Sequence, residues 1–282
     1  MDPTLTEGQD ELVVGGMTLR GVTRGGIQTC LMVPEFDLMF DVGGTVTGQL
    51  RHGRILVTHG HQDHLGGLPY LVSQRRLAGL PAPEVHVPAE IEAPLRRIFA
   101  AWSEIEDFPL DPQIVPHAPE DTVELGRGLR ATCIRAVHRV PTLTWLIRRT
   151  TARLRPEFAE LAGPLVAKLR LAGESVTQDS EATVLGVSGD TQIDLMQTDA
   201  RLWACKVLVH EVTIWDSRRT VAETRSWGHT HVDEMIACAE RFEGEALVLV
   251  HRSPRYTRAE VEAIVRTRFP ASVRDRIHVF GT

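Results

Sequence analysis

The chain has 282 residues, 43% hydrophobic and 24% charged, with a formal net charge of −6. That is a globular composition, long enough for a sizeable core in one large domain or two small ones. The acidic balance does not by itself announce a nucleic-acid partner, and no apolar run reaches the roughly 18 residues needed to cross a bilayer, so no membrane partner is expected. Cys30, Cys133, Cys205 and Cys238 are scattered without a C-x-x-C pair, which predicts buried thiols in a cytoplasmic protein.

Residues 1–10 are acidic and polar, unlike a signal peptide, and predict a short flexible tail ahead of one domain over 11–282. "GIQTCLMV" and "DLMFDVGG" read as a hairpin around Pro34, and "RILVTH" as a buried strand ending at the first of a group of histidines. "HLGGLPYLVSQRRLAGLP" has helical spacing and is stopped by Gly79 and Pro81. "EVHV" reads as a strand and "AEIEAPLRRIFAAW" as an amphipathic helix. The runs "ATCIRAVH", "LTWLIRR", "ATVLGVSGD", "KVLVHE" and "ALVLVH" follow, most of them ending on or next to a His, Asp or Glu. Helices are expected at about 231–243 and 258–268. Strands and helices interspersed from end to end predict an α/β protein with two helix-covered sheets. Strands that bury their middles release their polar ends at one rim of a sheet.

The densest polar feature is "LVTHGHQDHLGG". His59 and His61 can face one ion, and Asp63 and His64 can turn toward a second. Imidazole and carboxylate are the ligands zinc prefers. Asp41, in "FDVGG", is a candidate acceptor for the outer nitrogen of a ligating histidine. One loop cannot complete two sites. The strand-end residues His138, Asp190, Glu211, His229 and His251 are the candidates for the remainder, and Asp190, in a tight glycine turn, suits a bridge between two cations. Any one of these histidines taken alone is more often a core or surface residue; their shared strand-end context argues otherwise. His52, His86, His117 and His278 have no partner pattern, His210 reads as a packed neighbour of Glu211, and Trp102, Trp203 and Trp227 as core.

The pattern H-x-H-x-D-H is similar to the signature of the metallo-β-lactamase superfamily. "AVHRVPTLTWLI", "SGDT", "VLVHEVT", "GHTHVDE" and "LVLVHRSPRYT" follow in the order found in ribonuclease Z, the tRNA 3′-processing endonuclease. From about Gly21 to Tyr256 the chain resembles the short form of that family. The resemblance implies a four-layer αββα sandwich with a dinuclear metal site at one rim of the two sheets. It implies two zinc ions per subunit, with manganese or iron as substitutes. His59, His61 and His138 would bind the first, Asp63, His64 and His251 the second, and Asp190 would bridge. Asp63 would also help deprotonate the attacking water, and Glu211 and His229 would form a proton relay with His229 as general acid. Ser253 and Arg255 are candidates for contact with a substrate phosphate or for bracing the loop after His251.

The implied reaction is cleavage of precursor tRNA after the discriminator base, leaving a tRNA 3′-hydroxyl and a 5′-phosphorylated trailer. A homodimer is expected by resemblance alone. The alternatives are a dinuclear phosphodiesterase of small or cyclic nucleotides, or another hydrolase of the superfamily; a non-catalytic metal- or RNA-binding protein fits less well, since every implied ligand is present. The chain departs from the family at Gln62, at Trp145 where tyrosine is usual, and at His231, which replaces a hydroxyl residue and would either alter the acid's surroundings or face solvent. The substrate arm between the third histidine and Asp190 is short, so a reduced arm or helix pair is expected at about 151–178. Residues 148–170 are net basic, with Arg148, Arg149, Arg153, Arg155, Lys168 and Arg170 against Glu157 and Glu160, as are residues 252–276, with seven arginines against Glu260, Glu262 and Asp275.

Overall fold

A computed structural model describes residues 9–281 of the chain; most of the expected N-terminal tail lies outside the described residues. The first half forms β1 (Asp10–Val14), β2 (Met17–Arg24), β3 (Gln28–Val33), β4 (Leu38–Phe40), β5 (Arg54–Leu56), α1 (Gln62–Leu65), α2 (Leu68–Leu77), β6 (Glu84–Pro88), α3 (Glu92–Glu106) and β7 (Gln113–His117). The second half forms β8 (Thr122–Gly126), β9 (Leu129–Arg135), β10 (Leu143–Leu154), α4 (Gly163–Leu171), β11 (Thr177–Val187), α5 (Asp194–Thr198), β12 (Val207–Glu211), α6 (Val221–Ser226), α7 (Val232–Cys238), β13 (Ala246–Val250), α8 (Arg258–Arg268), α9 (Ala271–Arg274) and β14 (Ile277–Val279).

Two seven-stranded sheets result, ordered β1-β2-β3-β4-β5-β6-β7 and β14-β13-β12-β11-β10-β9-β8. Each begins as an antiparallel meander and finishes with parallel strands. The parallel strands β4 and β5 of one sheet and β11, β12 and β13 of the other run into the candidate residues at their carboxyl ends.

The period-2 alternation of side chains separates the apolar residues into three layers. Trp145 and Ile147 on β10, Val207 and Val209 on β12, and Val248 on β13 point between the sheets, where Leu19, Leu31 and Phe40 meet them. Their strand neighbours Leu146, Leu208, Leu247 and Leu249 point outward, under Val232, Met235, Phe242 and Val261. On the far side Met39, Ile55 and Val85 pack beneath Leu71, Val72, Leu95 and Phe99. Strands buried on both faces read in sequence as the continuous apolar runs seen above. The architecture is the expected αββα sandwich, with clustered His and Asp residues at the sheet rim.

Some local expectations change. The helix after the histidines is two helices, because Gly67 leaves the helical ladder and donates its N–H to Val42 O at 2.8 Å. A Cβ at Gly67 would stand 2.7 Å from Gly44 Cα, so the close approach requires glycine. The helix expected at 231–243 is α7 followed by a 3-10 turn, Ala239–Arg241. Trp203 is buried, as expected, whereas Trp102 is 41% exposed on α3 and is not core.

Trp145, at the position where tyrosine was expected, is fully buried, and its Nε1 donates to Val57 O at 3.1 Å. Trp145→Phe removes the indole N–H, strands that carbonyl and leaves a void where the second ring was, so it is expected to lower the unfolding free energy by about 2–4 kcal/mol in a denaturant titration; an unchanged midpoint and slope would show that neither the bond nor the packing contributes.

Candidate metal centre

The sequence Val57-Thr58-His59 leaves β5 pinned from two sides. Val57 N donates to His86 O at 2.8 Å, and Val57 O takes the Trp145 indole N–H. Thr58 donates its N–H and its hydroxyl to the two oxygens of Asp41, at 2.7 and 2.8 Å. The short α1 then places Asp63 and His64 on the turn after His61, and Gly26 N donates to Asp63 Oδ2 at 2.8 Å. His138 follows β9, Asp190 follows β11, Glu211 closes β12, and His251 follows β13. Asp41 and His251 hold left-handed backbones, φ 58° and 61°, uncommon for non-glycine residues and found here where the chain turns from a strand into the site.

The structure brings together all seven residues expected as ligands. His59, His61, His138 and Asp190 form one cluster, and Asp63, His64 and His251 another. Asp190 divides its carboxylate between them. Oδ2 lies 3.6 Å from His59 Nε2 and 4.0 Å from His138 Nε2, whereas Oδ1 lies 3.3 Å from both His64 Nε2 and His251 Nε2. Asp190 Oδ1 is nevertheless buried with no hydrogen bond among the described residues.

The remaining nitrogens of four of these histidines are already engaged. His64 Nδ1 lies 2.7 Å from Asp41 Oδ2, His59 Nδ1 3.1 Å from Thr58 Oγ1, His138 Nδ1 2.8 Å from Gly228 O, and His251 Nδ1 3.0 Å from Thr213 Oγ1. Outer-nitrogen contacts of this kind fix ring orientation and tautomer and leave the inner lone pairs facing one another. His59 Nε2 and His61 Nδ1 are 3.1 Å apart, and His64 Nε2 and His251 Nε2 3.2 Å. Neutral imidazoles set lone pair to lone pair, as at His59 and His61, repel unless a cation lies between them; at His64 and His251 the proton held by His64 fills that place until a metal ion replaces it. The donor set fits two divalent metal ions, and its nitrogen and carboxylate chemistry suits zinc, manganese or iron alike.

Charge follows the same division. Burial pulls His59, His61 and His138 below the ordinary imidazole range. Burial acts the same way on His64, but the carboxylates of Asp190 and Asp41 overcome it and hold its pKa well above the ordinary range. Burial would raise Asp63 and Asp190; the imidazoles of His251 and His64 override it and hold both carboxylates below theirs. His229 is raised to about 9, since Glu211 and Asp190 more than offset its burial.

Glu211 and His229 meet as a pair, Oε1 to Nδ1 at 2.9 Å, with Thr191 N and Thr230 N also donating to Oε1. Two residues that sequence reasoning passed over complete the arrangement. Thr213 stands between Glu211 Oε2 (2.9 Å) and His251, linking the relay to a candidate ligand; its only signal was its place in "HEVT". Gly228 supplies the carbonyl that orients His138, at φ 83°, where a Cβ would come within 2.5 Å of the His138 ring.

His231 neither borders the acid nor faces solvent. It is buried and caps α7, with Nδ1 accepting from Asp233 N and Nε2 reaching the carbonyls of Asp216 and Arg219. Ser253 is buried and its N–H donates to Thr213 O at 3.1 Å, while Arg255 is exposed. His86 and His117, which showed no partner pattern in sequence, pair with each other at 2.8 Å against Trp145, away from the clusters. His210 is buried, its Nδ1 donating to Glu211 O at 2.7 Å.

Known proteins give this arrangement a context. Residues 48–252 match the family described as Beta-lactamase superfamily domain. The chain is 28% identical over 261 residues to tRNase Z TRZ1 of Arabidopsis thaliana, covering 92% of this chain and 93% of the relative. Its fold is similar to that of the metallo-beta-lactamase fold protein YhfI of Bacillus subtilis (TM-score 0.62, 12% identity, 92% and 94% of the two chains). It is also similar to human tRNase Z, short form (TM-score 0.60, 17% identity, 98% and 96%).

His64 carries a proton near neutral pH in the metal-free chain, because its pKa is raised, and must release it to become a ligand. Titrating zinc into chelator-treated, weakly buffered protein at pH 7 is therefore expected to release about one proton or more per chain, with apparent affinity rising with pH. Zinc uptake without proton release would contradict the charge assignment.

Proposed function

The chain belongs to the β-lactamase superfamily domain family and is related to ribonuclease Z and tRNase Z proteins, and from that premise we propose that it is a metal-dependent phosphodiesterase. The observation that carries this reading is the divided carboxylate of Asp190, one oxygen toward each imidazole cluster. His59, His61 and His138 would hold one ion, Asp63, His64 and His251 the other, and Asp190 both. Two divalent ions so held supply Lewis acidity toward a phosphoryl group and lower the pKa of water.

The chain's own groups supply the proton chemistry. Asp63, with an ionised carboxylate at the mouth of the second cluster, accepts the proton of the attacking water. Oxygen–phosphorus bond formation on one side accompanies cleavage of the phosphorus–oxygen bond on the other, and the leaving oxygen needs a proton. His229 provides it: Nδ1 is held by Glu211, which leaves Nε2 as the free donor, and the Glu211 carboxylate beside the ring favours its protonated form. Arg255, exposed at the loop after His251 and without an ion pair among the described residues, is placed to contact a phosphate oxygen.

This reading commits to the bond and spans small or cyclic nucleotide diesters. A second reading, removal of a 3′ trailer from precursor tRNA, is favoured by one feature beyond the relatives' names. The outer halves of β10 and β11 carry α4 between them; no residue of α4 is buried, and Arg153, Lys168 and Arg170 are exposed along this extension. These three cations have no ion pair among the described residues and are free to contact a polyanion.

Two measurements test these readings. Zinc-loaded protein should hydrolyse bis(p-nitrophenyl) phosphate; no turnover of that or any other diester would end the phosphodiesterase reading. A cut in precursor tRNA just after the discriminator base would select the second reading, and turnover of the small diester with an intact precursor would dismiss it. For mechanism, His229→Ala is expected to keep its zinc and lose roughly 10²–10⁴ in cleavage rate. Lost zinc would make His229 a ligand, in keeping with its position near Asp190 and His251.

A further inference from the structure

We propose that Arg24 and Arg252 form an oxyanion site for a phosphate-class group beside the metal rim, separate from the imidazole clusters. The two arginines lie on crossing segments: Arg24 ends β2, and the next residue, Gly25, donates its N–H to Arg252 O at 3.0 Å. Arg252 is only 6% exposed. Its terminal nitrogens are taken by neutral carbonyls, Nη1 by Tyr256 O and Nη2 by Gly281 O, and its Nε has no partner. Arg24 Nε is also buried and without a partner. Neither guanidinium has a carboxylate within ion-pair distance among the described residues.

The acids nearby are committed elsewhere. Asp10 accepts from Arg258 Nη1 at 2.6 Å and from Gly281 N at 3.2 Å. Glu262 pairs with Arg258, and Glu260 closes the capping box of α8 with Thr257. Burial, and then the cations of Arg24 and Arg258, push the Arg252 guanidinium below its ordinary range. Two neighbouring cations, each with a buried N–H unanswered and no ion pair among the described residues, are a costly arrangement that one anion resolves. A tetrahedral phosphate offers acceptors to donors arriving from separate segments, and guanidinium is the side chain best matched to it. The group can come from free phosphate or from a flanking phosphate of a chain held at the metal rim.

Thermal unfolding of the zinc-loaded protein in inorganic phosphate reads the site without turnover, so its outcome is independent of the phosphodiesterase reading. Wild type is expected to gain about 5 °C at about 100 times the dissociation constant. Phosphate at the metal rim shifts wild type and variants alike, so the difference between them reports the arginine pair. Arg24→Met, which has no hydrogen bond to lose, is expected to forfeit at least half of the gain, and Arg24→Lys, which keeps the charge without the Nε donor, to retain part of it. Equal gains in wild type, Arg24→Met and Arg252→Met would overturn the proposal. A second arm assigns the source. If the ratio of KM for a single-stranded RNA oligonucleotide to KM for bis(p-nitrophenyl) phosphate rises about tenfold or more in Arg24→Met, the occupant is a substrate phosphate. Thermal loss with an unchanged ratio identifies free phosphate.

Discussion

A single buried carboxylate organises the rim. Asp190 is 2% exposed, and a negative charge that deep is tolerable only among positive charge or strong donors. The fold surrounds it with imidazoles from both sheets: His59 from the loop after β5, His64 from α1, His138 after β9, and His251 after β13. The two sheets must therefore stack with these strand ends level, and the apolar layer between them, from Leu19 and Phe40 to Trp145 and Val248, sets that level.

The same logic repeats one layer out. Asp41 is buried too, and takes three donors: Thr58 N, Thr58 Oγ1 and His64 Nδ1. Through Thr58 it also governs His59, so one side chain orients a member of each cluster. Glu211 has the matching role in the second sheet, reaching His229 directly and His251 through Thr213. Each sheet thus contributes one buried acid that holds two histidines by their outer nitrogens, directly or through a threonine, and leaves the inner nitrogens facing the rim. Two non-glycine residues with left-handed backbones, Asp41 and His251, sit at these junctions, where the surrounding bonds hold the strain in place.

Histidines outside this frame show why composition alone misleads. His86 and His117 pair with each other, with Glu84 Oε1 3.2 Å from His86 and Asp121 Oδ2 3.8 Å from His117, but their ligand atoms do not converge on one point as those around Asp190 do among the described residues. His231 serves α7 as an N-cap: its Nδ1 does what a serine or threonine oxygen does at this position, and its Nε2 additionally ties down the carbonyls of Asp216 and Arg219. The chain's departure from a hydroxyl there preserves the cap by other means.

Much of this was legible without coordinates. Continuous apolar runs ending in His, Asp or Glu identify strands buried on both faces with polar carboxyl ends, and the H-x-H-x-D-H loop offers four of the seven candidate ligands, because local spacing fixes which side chains can share an ion. What the sequence could not hold is distance between residues far apart along it. That Asp190 offers one oxygen to each cluster, that Thr213 joins His251 to Glu211, that Gly228 steers His138 and that Arg252 lies beside Arg24 all depend on how two sheets stack. Stacking is set by non-directional apolar burial summed over many side chains, which composition and periodicity forecast in kind but not in register. Hydrogen-bond partners and unanswered donors appear only once that register is fixed.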